Sequence, residues 1–265
     1  MAIHQPKGTS TMAKKHTRNK NSVTDLYVTE TGLLTDNLDF DENNGNGKFQ
    51  DLNKMEFRSD RQKEFWELIS KKEITLCSGP AGTGKSYISL AKALQIFSKE
   101  RRIYKKIIVV KPVVEADEKL GYLPGSVEEK LEPYVYSTKY ILEKILGKAR
   151  IDNLFLKGKL EVMALAYMRG INIDNAIVVC EEAQNMTPKQ MKTLLTRIGE
   201  NSKFIISGDH EQSDRYRKPT DSGLYFAMNK LKNIPDIGII EFEQSDIVRN
   251  PIIGKILERF NGDIE

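Results

Sequence analysis

The stretch GPAGTGKS, residues 79–86, has the residue types and spacing needed to hold phosphate groups. It fits the Walker A pattern, Gly-x-x-x-x-Gly-Lys-Ser/Thr, in which glycines let backbone N–H groups turn toward phosphate oxygens. Lys85 supplies a cation for the β- and γ-phosphates, and Ser86 offers a hydroxyl to Mg²⁺. The sequence therefore predicts a nucleoside triphosphate site built from one segment: Gly79, Pro80, Ala81, Gly82, Thr83, Gly84, Lys85, Ser86 and Tyr87.

A pair of adjacent carboxylates, Glu181 and Glu182, follows the apolar run 177–180. Burying charge is costly unless the charge is paired or binds a metal, so the pair needs an explanation. If this run is a strand of the same sheet as the phosphate loop, its carboxyl end opens onto the phosphates. The order of the two acids then predicts Glu181 as the acid that orients Mg²⁺ and Glu182 as the general base that polarises the attacking water. Without the loop, two exposed acids at a strand end would be the better interpretation.

A second polar cluster, in FIISGDHEQSD, ends another apolar run. A strand beside the first would bring these side chains over the γ-phosphate. We predict that Gln212 senses that phosphate and that Asp209 holds the network of water and metal. A surface turn is the alternative interpretation.

Strands alternating with helices must position these groups. Apolar, strand-like runs occupy 73–78, 105–112, 159–166, 176–181, 203–209 and 237–243. Helical spacing of apolar residues predicts helices over 60–72, 87–99, 127–147, 187–199 and 250–260. This alternation predicts an α/β fold, a mostly parallel sheet with helices on both faces, with the ligand at the carboxyl ends of the strands.

Composition excludes several classes of protein. The 265 residues carry a net charge of +4, and no apolar run approaches the ~18 residues of a membrane span. The first twenty residues lack the apolar core of a signal peptide, which favours a cytoplasmic protein without a membrane partner. Cys77 and Cys180 lie inside apolar runs, as buried free thiols do, and neither their number nor their spacing supports a zinc site.

The N-terminal residues differ in composition from the rest of the sequence. Residues 1–20 hold basic side chains and no acid, whereas residues 21–60 are acidic and include DENNGNG. Such a segment is typical of poorly ordered polypeptide, and its basic arm is either a solvated tail or a contact for nucleic acid. We predict a flexible segment over 1–55 and a folded P-loop domain over 56–265.

The motifs in order resemble the PhoH family of P-loop ATPases. The resemblance runs from about Gln62 to the C-terminus, and six stretches carry it: GPAGTGKS, KPVVEADEKLGYLPG, ALAYMRG, EEAQNMTPKQMKTLLTRIG, SGDHEQSD and DIVRNP. The second of these is the most distinctive, because generic P-loop proteins lack it. Family members resemble the first motor domain of superfamily-one helicases, which implies a RecA-like core that hydrolyses ATP.

The same resemblance implies partners and further site residues. It implies single-stranded RNA or DNA as a partner and a homo-oligomer, a hexameric ring, in which a neighbouring subunit closes the ATP cleft. Gln62 corresponds to a glutamine that reads adenine, Arg249 to an arginine that approaches the γ-phosphate, and 111–125 to a segment that contacts the strand. The sequence departs from the family at two positions: the family has Asp where Glu181 stands, and Arg where Lys111 stands.

Other functions stay open at this point. A nucleotide-gated binding protein with little hydrolysis is one alternative, because the extra methylene of Glu181 could alter the Mg²⁺ geometry. A small-molecule kinase is another, although the stretch DRYRKP is short for the arginine-rich lid of such kinases. A GTP-dependent switch is disfavoured because no Asn-Lys-x-Asp guanine-reading motif follows the phosphate loop.

Overall fold

A computed structural model describes most of the protein that follows the acidic segment. It describes residues 52–112, 127–168, 170–209, 221–248 and Arg259. The predicted flexible segment 1–55 therefore lies almost wholly outside the described residues. So does the predicted helix over 250–260, apart from Arg259.

Six strands and six α-helices of the described residues build the domain. In sequence order they are α1 (Asp60–Lys71), β1 (Ile74–Ser78), α2 (Lys85–Lys99), β2 (Lys106–Lys111), α3 (Val127–Leu146), α4 (Lys148–Leu156), β3 (Leu160–Ala164), β4 (Ala176–Cys180), α5 (Pro188–Leu195), β5 (Lys203–Gly208), α6 (Gly223–Lys230) and β6 (Ile237–Glu241). Short 3-10 helices cover Leu52–Lys54, Leu165–Met168, Ala183–Asn185 and Gln244–Asp246.

All six strands form one parallel sheet in the order β3-β2-β4-β5-β1-β6. The predicted α/β fold is confirmed, including the sixth strand. β1 lies between β5 and β6, so Ile74 pairs with Phe204 on one side and with Ile237 on the other. β5 separates β1 from β4. Consequently the three segments that follow β1, β5 and β4 meet at one edge of the sheet, where parallel α/β proteins bind ligands.

Helices cover both faces of the sheet, as an all-parallel sheet requires. Alternate residues of β2 show the division, because Ile107 and Val109 point into one core and Ile108 and Val110 into the other. The first core contains buried residues of α1, α2, α3 and α4, and the second contains those of α5 and α6. The phosphate loop leads into α2 and is therefore backed by the first core.

Local sequence signals fix where several helices begin and end. Thr187 caps α5 with its hydroxyl, which accepts from the N–H of Gln190, while the Gln190 side chain accepts from the Thr187 N–H. This capping box and Pro188 at the first helical position agree with the predicted start. The helix predicted over 127–147 is α3, which ends at Leu146, and Gly147 separates it from α4, which was not predicted.

Candidate functional site

The phosphate loop connects β1 to α2 over residues 79–84. Its three glycines have positive φ angles of 147°, 96° and 87°, a region that favours glycine. A Cβ atom on Gly79 would lie 2.5 Å from the Cβ of Phe242, so no larger residue fits there. The loop is thus shaped by its own glycines and by the segment that follows β6.

The segment after β6 is bonded to the loop through its backbone. The N–H of Phe242 donates to the Ser78 carbonyl at 2.8 Å, and the N–H of Val248 donates to the Gly82 carbonyl at 3.1 Å. Arg58, which lies just before α1, also contacts this segment, because its Nη1 donates to the Val248 carbonyl at 3.4 Å. Residues far apart in the sequence therefore hold the loop from its outer side.

Gln62, the predicted adenine reader, is buried on α1 beside the loop. Its Nε2 donates to the Thr83 carbonyl at 2.9 Å, and its Oε1 accepts from the Arg58 N–H at 2.9 Å. The amide therefore supports the phosphate loop directly. Each bond uses one of two donors or lone pairs, which leaves one of each for a base. Adenine reading by Gln62 stays a prediction.

Lys85 is the first residue of α2, and its ammonium group turns back onto the loop. Nζ donates to the carbonyl oxygens of Gly79 and Pro80 at 2.5 and 2.7 Å. The charge of Lys85 thus lies against the loop, close to where the pattern Gly-Lys-Ser requires it for phosphate binding.

A cleft of about 480 Å³ opens at this edge of the sheet. This volume falls within the usual range of small-molecule sites. One wall is the phosphate loop and the first turn of α2, and the opposite wall follows β4 and β5. The lining residues are Ala81, Gly82, Gly84, Lys85, Ser86, Tyr87, Ile141, Glu182, Gln184, Ser207, Gly208 and Asp209. The loop, the predicted general base and Asp209 therefore share one cleft.

A second cleft, of about 580 Å³, lies beside Gly79 and Pro80 on the β6 side. Its lining mixes charges of both signs, with Arg61 and Lys232 beside Glu241 and Glu243, and it does not include Lys85 or Glu182. Of these two clefts, only the smaller one is lined by both the loop lysine and the predicted general base.

Glu182 is held in position by a neighbour that the sequence prediction did not include. The buried side chain of Gln184 donates from Nε2 to Glu182 Oε2 at 2.8 Å and accepts the Asp209 N–H on Oε1 at 3.1 Å. Glu182 itself has a left-handed φ of 56°, which is uncommon for a non-glycine residue and turns the backbone sharply after β4. Gln184 thus ties the predicted base to the end of β5.

Glu181 lies one residue earlier and reaches toward β2 and α3. It is 1% exposed, and its Oε2 lies 2.8 Å from the Nζ of Lys111 and accepts from Thr138 Oγ1 at 3.4 Å. Its Oε1 is buried and has no hydrogen-bond partner among the described residues. Ser86 lines the cleft, whereas Glu181 is not among its lining residues. The role of Glu181 toward Mg²⁺ therefore stays a prediction, with Oε1 as the oxygen left for a cation or its bound water.

The comparison of the sequence with protein families decides the family. Residues 54–261 match the family model described as PhoH-like protein. The chain belongs to this family. The resemblance inferred from the motifs is therefore confirmed.

Several PhoH-like relatives match over most of this chain. The PhoH-like protein of Bacillus subtilis (strain 168) is 42% identical over 200 residues, which cover 76% of this chain and 62% of the relative. The PhoH-like protein of Synechocystis is 39% identical, with coverage of 76% and 60%. Protein PhoH of Escherichia coli (strain K12) is 38% identical, with coverage of 77% and 57%. The chain thus spans about three fifths of the length of these relatives.

Solved structures of helicases are more distant. The Pif1 helicase from Candida albicans is 15% identical with a TM-score of 0.38, and the match covers 78% of this chain and 44% of that one. Bacteroides Pif1 bound to ssDNA is 12% identical with a TM-score of 0.33, covering 77% and 46%. At these identities the similarity concerns the fold alone.

Other predicted features of this PhoH-like domain have mixed outcomes. Gln212 and Arg249 lie outside the described residues. Cys77 and Cys180 are free and buried as predicted, and burial raises the pKa of both thiols, that of Cys180 to about 12. Among the described residues, no group of three or more His, Cys, Asp or Glu side chains could hold a metal ion. No described helix combines the length and apolar character needed to cross a bilayer.

Proposed function

We propose that this PhoH-like domain binds ATP with Mg²⁺ and hydrolyses it. One observation carries the proposal: Lys85 and Glu182 line the same cleft, and Gln184 holds the carboxylate of Glu182 at 2.8 Å. A cation for the γ-phosphate and a fixed carboxylate for a water are the two groups that hydrolysis of a phosphoanhydride needs from the protein. Residues that merely ended a strand at the surface would not need such a support.

Binding begins at the phosphate loop. The loop N–H groups and the amino end of α2 donate to the phosphate oxygens, and Lys85 exchanges a loop carbonyl for the β- and γ-phosphates. Tyr87, 45% exposed at the mouth of the cleft, is available to pack against the rest of the nucleotide. Gln62 is proposed to read adenine while it continues to hold Thr83.

Mg²⁺ would be held by the Ser86 hydroxyl and, through water, by Glu181. When bound, the ion neutralises charge on the β- and γ-phosphates. Glu182 accepts the proton of the attacking water, and its bond from Gln184 fixes the carboxylate in place for that transfer. Asp209, buried at the end of β5, is proposed to orient water in the same cleft.

Two residues outside the described part of the protein complete this proposal. Gln212 would sense the γ-phosphate, and Arg249 would stabilise charge in the transition state. The described neighbour of Arg249 supports its assignment, because the Val248 N–H is bonded to Gly82 of the loop.

We further propose single-stranded RNA or DNA as a partner, and α3 supplies the support. Tyr136 and Tyr140 lie one turn apart on this helix and are 72% and 54% exposed, and the Nζ of Lys144 lies 5.1 Å from the centre of the Tyr140 ring. Exposed rings beside a cation can stack on bases and contact phosphates. The same helix reaches the nucleotide site, because Thr138 bonds Glu181 and Ile141 lines the cleft.

Assembly and location are proposed from the family resemblance and from composition. We propose a homo-oligomer, a hexameric ring, in the cytoplasm. Arg197 follows α5 and precedes β5, at the amino edge of the sheet, opposite to the phosphate loop. Arg169, Arg197, Arg215 and Arg217 are the candidates for an arginine that acts in the cleft of a neighbouring subunit, and of these Arg197 lies among the described residues.

Phosphate release from ATP, with and without single-stranded RNA and DNA, tests the proposal. We expect Mg²⁺-dependent release that rises when nucleic acid is added, and a smaller rise in the Tyr136→Ala/Tyr140→Ala variant. Phe226→Ala is the control, because Phe226 is also exposed but lies on α6, across the sheet. ATP binding with no release would favour the nucleotide-gated binding protein. ADP formation that requires an added metabolite and yields no free phosphate would favour the kinase.

A further inference from the structure

A buried ion pair joins the ends of two neighbouring strands beside the nucleotide cleft. Lys111 is the last residue of β2 and Glu181 follows β4, and their Nζ and Oε2 atoms are 2.8 Å apart. The side chains are only 7% and 1% exposed, respectively. Thr138 adds its hydroxyl to the same carboxylate oxygen from α3. Two elements, β2 and α3, therefore converge on one oxygen of Glu181.

The two carboxylate oxygens of Glu181 have different contacts. Oε2 carries the contacts with Lys111 and Thr138, whereas Oε1 is buried without a hydrogen-bond partner among the described residues. A pair formed only for stability would be expected to satisfy both oxygens, because a buried ionised oxygen without a partner is costly. The arrangement instead holds the carboxylate through Oε2 and leaves Oε1 without a contact to Lys111 or Thr138.

We propose that Lys111 is the built-in counterion of Glu181: it neutralises and orients the carboxylate before the divalent cation binds. This inference rests on the proposed function, in which Glu181 acts toward Mg²⁺. Lys111 is a positioning residue, because it acts through Glu181 and lines neither of the two clefts beside the phosphate loop. Once Mg²⁺ and nucleotide are bound, part of the neutralising charge comes from the metal, and the protein depends less on Lys111.

This role makes a prediction that an ordinary structural pair does not. Removing the charge of Lys111 leaves Glu181 buried with no cation, and the melting temperature should fall on the order of 10 °C. Mg²⁺ should then restore much of the loss, because it supplies the missing charge. The wild-type protein should respond less to Mg²⁺, since its carboxylate is already neutralised.

A matched control lies at the other end of the same strand. Lys106 begins β2 and pairs with Glu161 of β3 at 3.2 Å, but both side chains are partly exposed, at 37% and 28%. A solvated pair of this kind contributes little to stability. Lys106→Met should therefore change the melting temperature slightly and show no greater response to Mg²⁺ than the wild type.

The experiment measures melting temperatures of the wild type, Lys111→Met, Lys106→Met and Lys111→Met/Glu181→Gln. Each is melted in EDTA and in excess MgCl₂, with and without ADP. The change in the melting temperature of the wild type on adding ADP reports on the nucleotide site. Failure of the proposed function is therefore distinguished from failure of the counterion inference. The effect of Mg²⁺ on Lys111→Met, compared with the wild type, reports on the counterion.

We expect a large Mg²⁺-dependent recovery in Lys111→Met, which disappears when Glu181 is also neutralised. An unchanged melting temperature in Lys111→Met, or a loss that Mg²⁺ does not restore, overturns the inference. If Lys111→Met does not fold in buffer, it is purified in excess MgCl₂ and then dialysed into EDTA. Unfolding on removal of the metal would support the inference, and failure to fold even with MgCl₂ would overturn it.

Discussion

The side-chain amide of Gln62 donates a 2.9 Å hydrogen bond to the carbonyl oxygen of Thr83, inside the phosphate loop. The first described α-helix of the domain is thereby bonded to the loop that is proposed to bind phosphate. The proposed contact of Gln62 with adenine would therefore be made by the same amide that holds the loop.

Replacing Gln62 with Ala separates these two roles. Losing the bond to Thr83 should weaken nucleotide binding by roughly 5–10-fold, the usual size of one hydrogen bond. If Gln62 also reads adenine, ATP should be weakened more than GTP, and the preference between them should shrink. Fluorescent nucleotide titrations measure both affinities. Gln95→Ala is the control, because Gln95 is a buried amide of α2 that donates to Leu52, away from the loop.

Replacing Lys85 with Ala should abolish hydrolysis and weaken ATP binding, because the phosphates lose their main cation. Steady-state phosphate release and nucleotide titration measure the two effects. Lys99→Ala, in the last turn of the same helix, should leave both close to wild type. Turnover near the wild-type rate in Lys85→Ala would remove the phosphate loop from the mechanism.

Replacing Glu182 with Gln should preserve ATP binding but slow hydrolysis by roughly 10²–10⁴-fold, as expected for a general base. Gln184→Ala should slow hydrolysis by a smaller factor, since Glu182 keeps its charge but loses its support. Single-turnover kinetics separate these rates from nucleotide binding. A large loss in Glu181→Gln, with Glu182→Gln active, would reverse the assignment of the two acids.

Glu181→Asp tests whether the two departures from the family pattern, at Glu181 and Lys111, depend on each other. The sequence by itself predicts that this change holds or raises turnover, because it restores the family residue. The structure changes that expectation, since the shorter side chain withdraws from Lys111, which lies 2.8 Å away. We expect the single variant to melt at a lower temperature and Lys111→Arg/Glu181→Asp to recover, because arginine reaches further. Melting curves of the two variants and the wild type decide the question.

The sequence predicted the six strands, the phosphate loop and four of the six described helices because those features are encoded locally, whereas α4 and α6 were not predicted. Runs such as AIVVC and KFIISG are apolar and rich in β-branched residues, and Thr187–Pro188 carries its own helix start. The phosphate loop was found because its glycines and Lys85 are contiguous. Each of these signals lies within a few residues of the structure it specifies.

Contacts between distant segments were not predicted. Lys111 meets Glu181 only because β2 pairs with β4, and strand order is not encoded near either residue. Gln184 lies in the stretch EEAQNMTPKQMKTLLTRIG that carries the family resemblance. Its role, however, requires β5 to lie beside β4 so that Asp209 is within reach. Its one local signal was a polar side chain two residues after Glu182.

The free energy of unfolding should depend on pH because of Lys92, a buried lysine away from the cleft. Burial lowers the pKa of Lys92 from 10.5 to about 8, with Lys99 and Lys203 adding repulsion, although the Trp66 ring lies 4.3 Å from its Nζ. Between about pH 8 and 10.5 the unfolded protein then binds more protons, so the free energy of unfolding should rise with pH. Urea unfolding across this range measures the slope, and Lys92→Met should lack this contribution.

The position of β1 has a consequence for how the protein is made. β1 is the first strand of the described sheet to leave the ribosome, yet its partners β5 and β6 are the last two. About 160 residues separate β1 from β6, which is roughly 8–30 s of synthesis at about 5–20 residues per second. Phe242 and Val248, which hold the phosphate loop, emerge later still. The nascent polypeptide must therefore keep an apolar strand unpaired and its nucleotide loop unformed until translation of the domain is nearly finished.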